Sequence, residues 1–329
     1  MRPIDADIAL AVIAERWEGR LIGVTGADQR FHHSISELIA NPHTRFSEGP
    51  VSYEHRATGP DADRRVVAFG VHLLRRDGIP LAVTQRAPAP QQGQEQAMIE
   101  VISSDEDAAV ALLEELRRLM LERSVLKGKV LSFQPTQFGD SAGATFLPRP
   151  DVPAEAIVLP PGVLEAVVSH VVGIGEHREA LRAAGQHLKR GVLLYGPPGT
   201  RKTLTVRHLL GRTPGTTAVV LTGSSIGFVT QAAELARTFQ PSIVVLEDID
   251  LVAMEHSYSP QPLLFEVLDA LDGLDADADV AFVMTTNRVQ VLERALATRP
   301  GRAKGATGSF AKELMRRAQC WPRRCGAAR

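Results

Sequence analysis

Gly191-Val-Leu-Leu-Tyr-Gly-Pro-Pro-Gly-Thr-Arg-Lys-Thr203 is an apolar run ending in a glycine- and proline-rich loop and a Lys-Thr pair. The run Gly191–Tyr195 predicts a buried strand, and Leu204–Leu210 predicts a helix. Strand, glycine loop, Lys-Thr and helix together make a phosphate cradle. Backbone N–H groups of such a loop, and of the helix N-terminus behind it, point at phosphate oxygens. The residues expected at the nucleotide are Gly196, Pro197, Pro198, Gly199, Thr200, Arg201, Lys202, Thr203 and Leu204. Lys202 is expected to reach the β- and γ-phosphates, and the Thr203 hydroxyl to bind Mg²⁺. One position breaks the pattern G-x-x-x-x-G-K-[ST], because Arg201 stands where glycine is usual. A Cβ there crowds the approach of backbone to phosphate. It also costs about 1–2 kcal/mol if the residue must sit at positive φ. Two readings stay open: a tolerated arginine turned to solvent or phosphate, and a crippled nucleotide site.

Downstream, Ser242-Ile-Val-Val-Leu246 predicts a second buried strand that ends in Glu247-Asp248-Ile-Asp250. Apolar residues followed by two acids form a Walker-B arrangement. The first carboxylate supports Mg²⁺ and the second polarises the attacking water. The order here is Glu-Asp rather than the commoner Asp-Glu. Glu247 therefore falls at the metal position and Asp248, one methylene shorter, at the base position.

Around these motifs the chain reads as two blocks. From Gly191 onward, strands at Gly191–Tyr195, Thr217–Thr222, Ser242–Leu246 and Val280–Thr285 alternate with helical stretches. That alternation implies a doubly wound parallel α/β sheet. Residues 1–150 predict a small α+β domain. Its elements are a helix at Ile4–Trp17, a hairpin turning at Asp77-Gly78, a strand at Ala97–Ile102, a helix at Asp105–Leu121 with a Ser104/Asp107 capping box, and a strand at Lys127–Phe133. Residues 151–190 hold a Pro-rich linker and leading helices, 191–302 the nucleotide core, and 303–329 a basic end of a different kind.

Composition narrows the function classes. The 329 residues are 44% hydrophobic and 23% charged, ordinary for a soluble globular protein of about two domains. A net charge of −1 and 5% aromatics give no reason to expect nucleic acid or an anionic membrane as partner. Two cysteines, Cys320 and Cys325, exclude a disulfide scaffold, lack metal-ligand spacing and suggest a reducing compartment. Asp5 and Asp7 stand where a signal peptide would be basic and then apolar. No apolar stretch reaches the length of a membrane span. A cytoplasmic location is the expectation.

Taken in order, these motifs resemble the AAA family of P-loop ATPases, over about Val158–Arg302. LKRGVLLYGPPGTRKT is similar to the family's first strand and Walker A, and IVVLEDIDLVA to its Walker B. LLFEVLDALDGL is similar to the helix that follows, FVMTTNR to the sensor-1 strand, and LERALATRPGR to the arginine-finger segment. The resemblance implies Asn287 as sensor 1, holding the γ-phosphate or the attacking water. It implies Arg299 and Arg302 as arginines that enter the neighbouring subunit's site, and hence a homo-oligomer, usually a hexamer. It also makes Phe228 a candidate for a pore-facing aromatic, against a reading as a packing residue.

The resemblance breaks off after Arg302. The family continues with a helical lid, whereas GATGSFAKELMRRA here resembles only its late segment. Most of the lid is therefore expected to be missing, which would leave the site open and wet. The function implied is Mg²⁺-dependent ATP hydrolysis driving protein remodelling in a ring, with residues 1–150 docking substrate or adaptor. The alternative is a nucleotide-binding but hydrolysis-deficient interaction protein. A DNA-directed activity is weaker, because charge and motifs give it no support.

Overall fold

A computed structural model of the chain describes residues 2–26, 33–41, 43, 45–89, 96–135, 141–250, 275 and 277–288. They form two compact units, Met1–Val125 and Leu126–Arg329. In the first unit helix α1 (Pro3–Arg16) opens with Pro at its first turn, where a missing N–H costs nothing. Strands β1 (Arg20–Thr25), β2 (Ser47–Gly49), β3 (Ser52–Ala57), β4 (Asp63–Arg76), β5 (Ile79–Arg86) and β6 (Met98–Ser103) follow, with the short helix α2 (Ile35–Ala40) after β1. The sheet runs β2-β1-β4-β5-β6, with β3 also on β4, and every pairing is antiparallel. Asp77 and Gly78 join β4 to β5 with φ of 51° and 83°, the two positive angles of a tight hairpin turn. Helix α3 (Glu106–Glu122) lays Leu112, Leu116 and Leu119 against Leu10 and Ile13 of α1 and Leu74, Leu81 and Val83 of the sheet. Its cap is one residue later than the sequence suggests. Asp105, not Ser104, accepts from the Ala108 N–H at 2.7 Å, its carboxylate closing the first turn from the N-cap position.

Buried polar groups brace this unit. Asp5 accepts from the Val125 N–H and the Ser124 hydroxyl, and burial pushes its carboxyl above the usual range. His72 on β4 is 4% exposed. The Gln85 amide donates to the Val67 carbonyl, which turns its oxygen toward His72 Nε2 at 3.4 Å. His72 therefore carries its proton on Nε2, and burial holds its pKa below the ordinary 6.5. The unfolded chain binds a proton on this ring more readily than the folded one. Stability is then full above about pH 6.5 and falls as the pH drops toward the depressed value. Urea unfolding followed by Trp17 fluorescence, in a Trp321→Phe background, should show a loss of up to about 1.4 kcal/mol per pH unit in that window. His72→Gln should flatten that part of the profile, and an unchanged slope would refute the assignment.

The second unit is built on a parallel sheet. Its strands are β7 (Val130–Pro135), β8 (Ser141–Leu147), β9 (Arg190–Tyr195), β10 (Thr217–Thr222), β11 (Ser242–Glu247) and β12 (Val280–Thr286). The order β8-β7-β10-β11-β12-β9 is parallel throughout except for the β7–β8 hairpin. Helices α4 (Val163–Val168), α5 (Ile174–Glu176), α6 (Arg178–Ala183), α7 (Lys202–Gly211) and α8 (Val229–Thr238) accompany it. Val167, Val171 and Val172 pack with Leu194, Val206, Leu209 and Val245 on one face. Ile226, Val229 and Ala232 pack with Val219, Val244 and Phe282 on the other. Strands buried on both faces read as continuous apolar runs, the signature that made them legible.

The division between units corrects the boundary expected near residue 150. The strand read at Lys127–Phe133 belongs to the second sheet, where Ala218 and Val219 pair in parallel with Val130 and Leu131. Arg149 secures this addition. Its guanidinium donates to the carbonyls of Leu210, Thr213, Gly128 and Thr216, tying the hairpin to the end of α7. No helix among the described residues is long and apolar enough to cross a membrane.

Candidate nucleotide site

The site lies at the C-terminal ends of β9, β12 and β11, which stand side by side in that order. Thr286 pairs with Tyr195 and Met284 with Leu246. The residues that follow, Gly196, Asn287 and Glu247-Asp248, therefore emerge at nearly one level. This places the ligand crevice where open α/β sheets hold their ligands, beyond the carboxyl ends of the strands.

From β9 the loop Gly196–Arg201 turns into α7. Gly199 takes φ 85° with open space at its Cβ position, while Pro197, Pro198 and Gly199 face solvent. The Thr200 hydroxyl donates to the Pro197 carbonyl at 2.9 Å. Arg201 sits at φ 65°, ψ 17°, as the N-cap of α7, with its side chain exposed. The residue standing in for glycine is thus in the left-handed region, and its side chain turns outward. Of the two readings of Arg201, the geometry favours tolerance at a local cost in backbone strain.

Lys202 is 7% exposed. Its Nζ donates to the carbonyls of Gly196 (2.9 Å) and Pro197 (3.1 Å), and to Asn287 Oδ1 (2.8 Å). Burial lowers its pKa, and the charges of Asp248 and Asp250 oppose that shift. The Asn287 amide is fixed at both ends, since its Nδ2 donates to Asp248 Oδ1 at 3.3 Å. Asp248 itself has φ 52°, and its backbone N–H donates to the Thr285 hydroxyl at 2.9 Å. Glu247 accepts a hydrogen bond from the Thr203 side chain; burial raises its pKa, and the nearby Asp248 adds to the rise. Its Oε1 is buried with no hydrogen-bond partner among the described residues. An orphaned carboxylate oxygen beside a hydroxyl fits a divalent cation, whose remaining ligands would be phosphate and water oxygens. Among the described residues no cluster of three His, Cys, Asp or Glu could hold a metal by itself. Leu204, the third residue of α7, is half-buried.

Phe228 takes the packing role of its two readings, and other expected residues fall outside the described ones. Phe228 is 8% exposed, lies 6.0 Å from the Phe133 ring and belongs to the core, not to a solvent-facing loop. Arg299 and Arg302, with the helix after Asp250, the lid segment and the two cysteines, lie outside the described residues. Sequence reasoning left Asp250 without a role. Its Oδ1 accepts from the Thr286 hydroxyl (2.9 Å) and the Asn287 N–H (3.0 Å). Its nearness to the Walker-B pair was the one available signal.

A parallel sheet with a Lys-Thr glycine loop on one strand and paired acids on another defines a P-loop NTPase fold. Within that class, residues 192–306 match the family described as "ATPase family associated with various cellular activities (AAA)". The chain is 34% identical over 143 residues to the 26S proteasome regulatory subunit 8 homolog of Schizosaccharomyces pombe. That alignment covers 39% of this chain and 35% of the relative, so the chain spans about a third of the relative's length.

The Arg201 geometry makes a measurable claim about stability. Arg201→Gly relieves the left-handed strain but loosens the unfolded chain, so it should be neutral or stabilising by up to about 1 kcal/mol. Arg201→Val places a β-branched side chain at the same angle and should cost about 1–2 kcal/mol relative to glycine. Hydrogen exchange of the β9 and α7 amides measures both, and equal protection in the two variants would contradict a positive φ at this position.

Proposed function

We propose that this chain binds ATP with Mg²⁺ and hydrolyses it, working in an oligomeric ring on protein substrates. The observation that carries the reading is the convergence of Lys202, Thr203, Glu247, Asp248 and Asn287 on one edge of the sheet. The loop N–H groups and the N-terminus of α7 receive the phosphates, and Lys202 turns its ammonium from loop carbonyls to phosphate oxygens. Thr203 and Glu247 would hold Mg²⁺, which would supply charge neutralisation at the phosphates. Asp248 takes the proton of the attacking water, and Asn287 orients that water from between Asp248 and Lys202. Arg299 and Arg302 act in trans, stabilising charge at the neighbouring subunit's phosphates. A homohexamer in the cytoplasm is the assembly that the family resemblance supports. The similar relative is named as a regulatory subunit of the 26S proteasome, which supports work within an assembly.

A second reading, a nucleotide-binding but hydrolysis-deficient interaction protein, is favoured by the shorter reach of Asp248 at the position of the base. The two are separated by phosphate release from Mg-ATP, titrated against protein concentration. Turnover should rise more than linearly with protein and fall about a hundredfold in Lys202→Ala. Turnover no higher than that variant's at any concentration would give the second reading precedence, with ATP binding by calorimetry as its own check.

A further inference from the structure

The described residues hold one buried carboxylate at this site for which the mechanism has no task. Asp250 is 3% exposed, and a carboxylate is almost never buried to this degree without partners that need its charge. Its placement follows from the backbone. After β11 ends, the left-handed Asp248 turns the chain, and Asp250 comes beneath the end of β12. There a single oxygen, Oδ1, accepts from the Thr286 hydroxyl and from the Asn287 backbone N–H. The Thr286 hydroxyl oxygen in turn accepts from the Arg288 N–H at 3.0 Å. Both bonds to Asp250 are charge-assisted, the stronger kind. They grip the chain on either side of the Thr286–Asn287 peptide, at the point where β12 leaves the sheet.

We propose that Asp250 is the positioning residue of Asn287: it anchors the backbone from which the Asn287 amide is held between the Lys202 ammonium and the Asp248 carboxylate. The inference rests on the ATPase reading for its kinetic consequence, and on the hydrogen-bond geometry alone for its structural one. Asn287 has only one side-chain carbon between its backbone and its amide. A shift of its Cα therefore passes almost undiminished to the amide. Lys202, Asp248 and the loop are held by other bonds, to Gly196, Pro197 and Thr285. Loss of the anchor should accordingly spare phosphate binding and impair the orientation of the water. A misplacement on the scale of 1 Å is worth about a hundredfold in rate.

The test is a double-mutant cycle in the full chain. Asp250→Ala should lower kcat about ten- to a hundredfold with ATP affinity changed less than about threefold. Asp250→Asn keeps an acceptor at the same place and should restore most of the rate. In an Asn287→Ala background, Asp250→Ala should have little further effect, because the two act as one unit. Additive losses in the cycle, or a fall in affinity matching the fall in kcat, would overturn the inference. If the wild-type chain releases no phosphate, the ATPase reading fails separately, and exchange protection of the Asn287 amide decides the matter. That protection should be lost in Asp250→Ala and kept in Asp250→Asn while β12 stays protected. Unchanged protection at Asn287, or loss along all of β12, would overturn it.

Discussion

Everything at the candidate site depends on the parallel register of β9, β12 and β11. Thr286 opposite Tyr195 and Met284 opposite Leu246 bring three chain segments to one level. A parallel sheet transmits that level faithfully, because its hydrogen bonds are evenly spaced along each strand. The strands themselves are held by burial on both faces, Val244 and Phe282 toward one helical layer and Val245 and Val283 toward the other. Fully buried apolar runs resist slippage, since a one-residue shift would exchange the residues packed on each face. The chemistry-bearing residues are thus placed by a core that contains none of them.

Where the strands stop, the backbone has to turn sharply, and it does so at positions carrying unusual side chains. Arg201 and Asp248 both adopt positive φ. Asp tolerates the left-handed region better than most residues, because its short polar side chain bonds locally. The Glu-Asp order therefore has a local rationale: the shorter acid occupies the left-handed position, and the longer one remains on the strand, within reach of the Thr203 hydroxyl. Arg201 has no such compensation, and its side chain, turned to solvent, leaves the strain uncovered.

How much of this was legible follows from what each feature requires. The strands of the second unit were readable because burial on both faces writes itself into the sequence. The phosphate loop and acidic strand end were readable because their chemistry demands particular residue types at fixed spacing. The attachment of β7 and β8 to this sheet was not, because pairing in parallel with a strand far along the chain leaves no local mark. The Arg149 clamp, bonded only to carbonyls, is equally silent in sequence. Asp250 was visible as an acid but not as an anchor, since its partners Thr286 and Asn287 lie 36 and 37 positions away. Phe228 was legible only as a choice between a pore-facing and a packing role, and the neighbouring Phe133, brought in by β7, gives it its place in the core.

The charges at the site bear on what must complete it. Lys202 is a single ammonium facing Asp248 and Asp250, with Glu247 close behind Asp248. Such a group, taken alone, repels a polyphosphate. Burial raises the pKa of Glu247, because a desolvated carboxylate resists ionisation, and the nearby Asp248 adds to the rise. A divalent ion held by Glu247 and Thr203 would offset that cost and counter the negative local field.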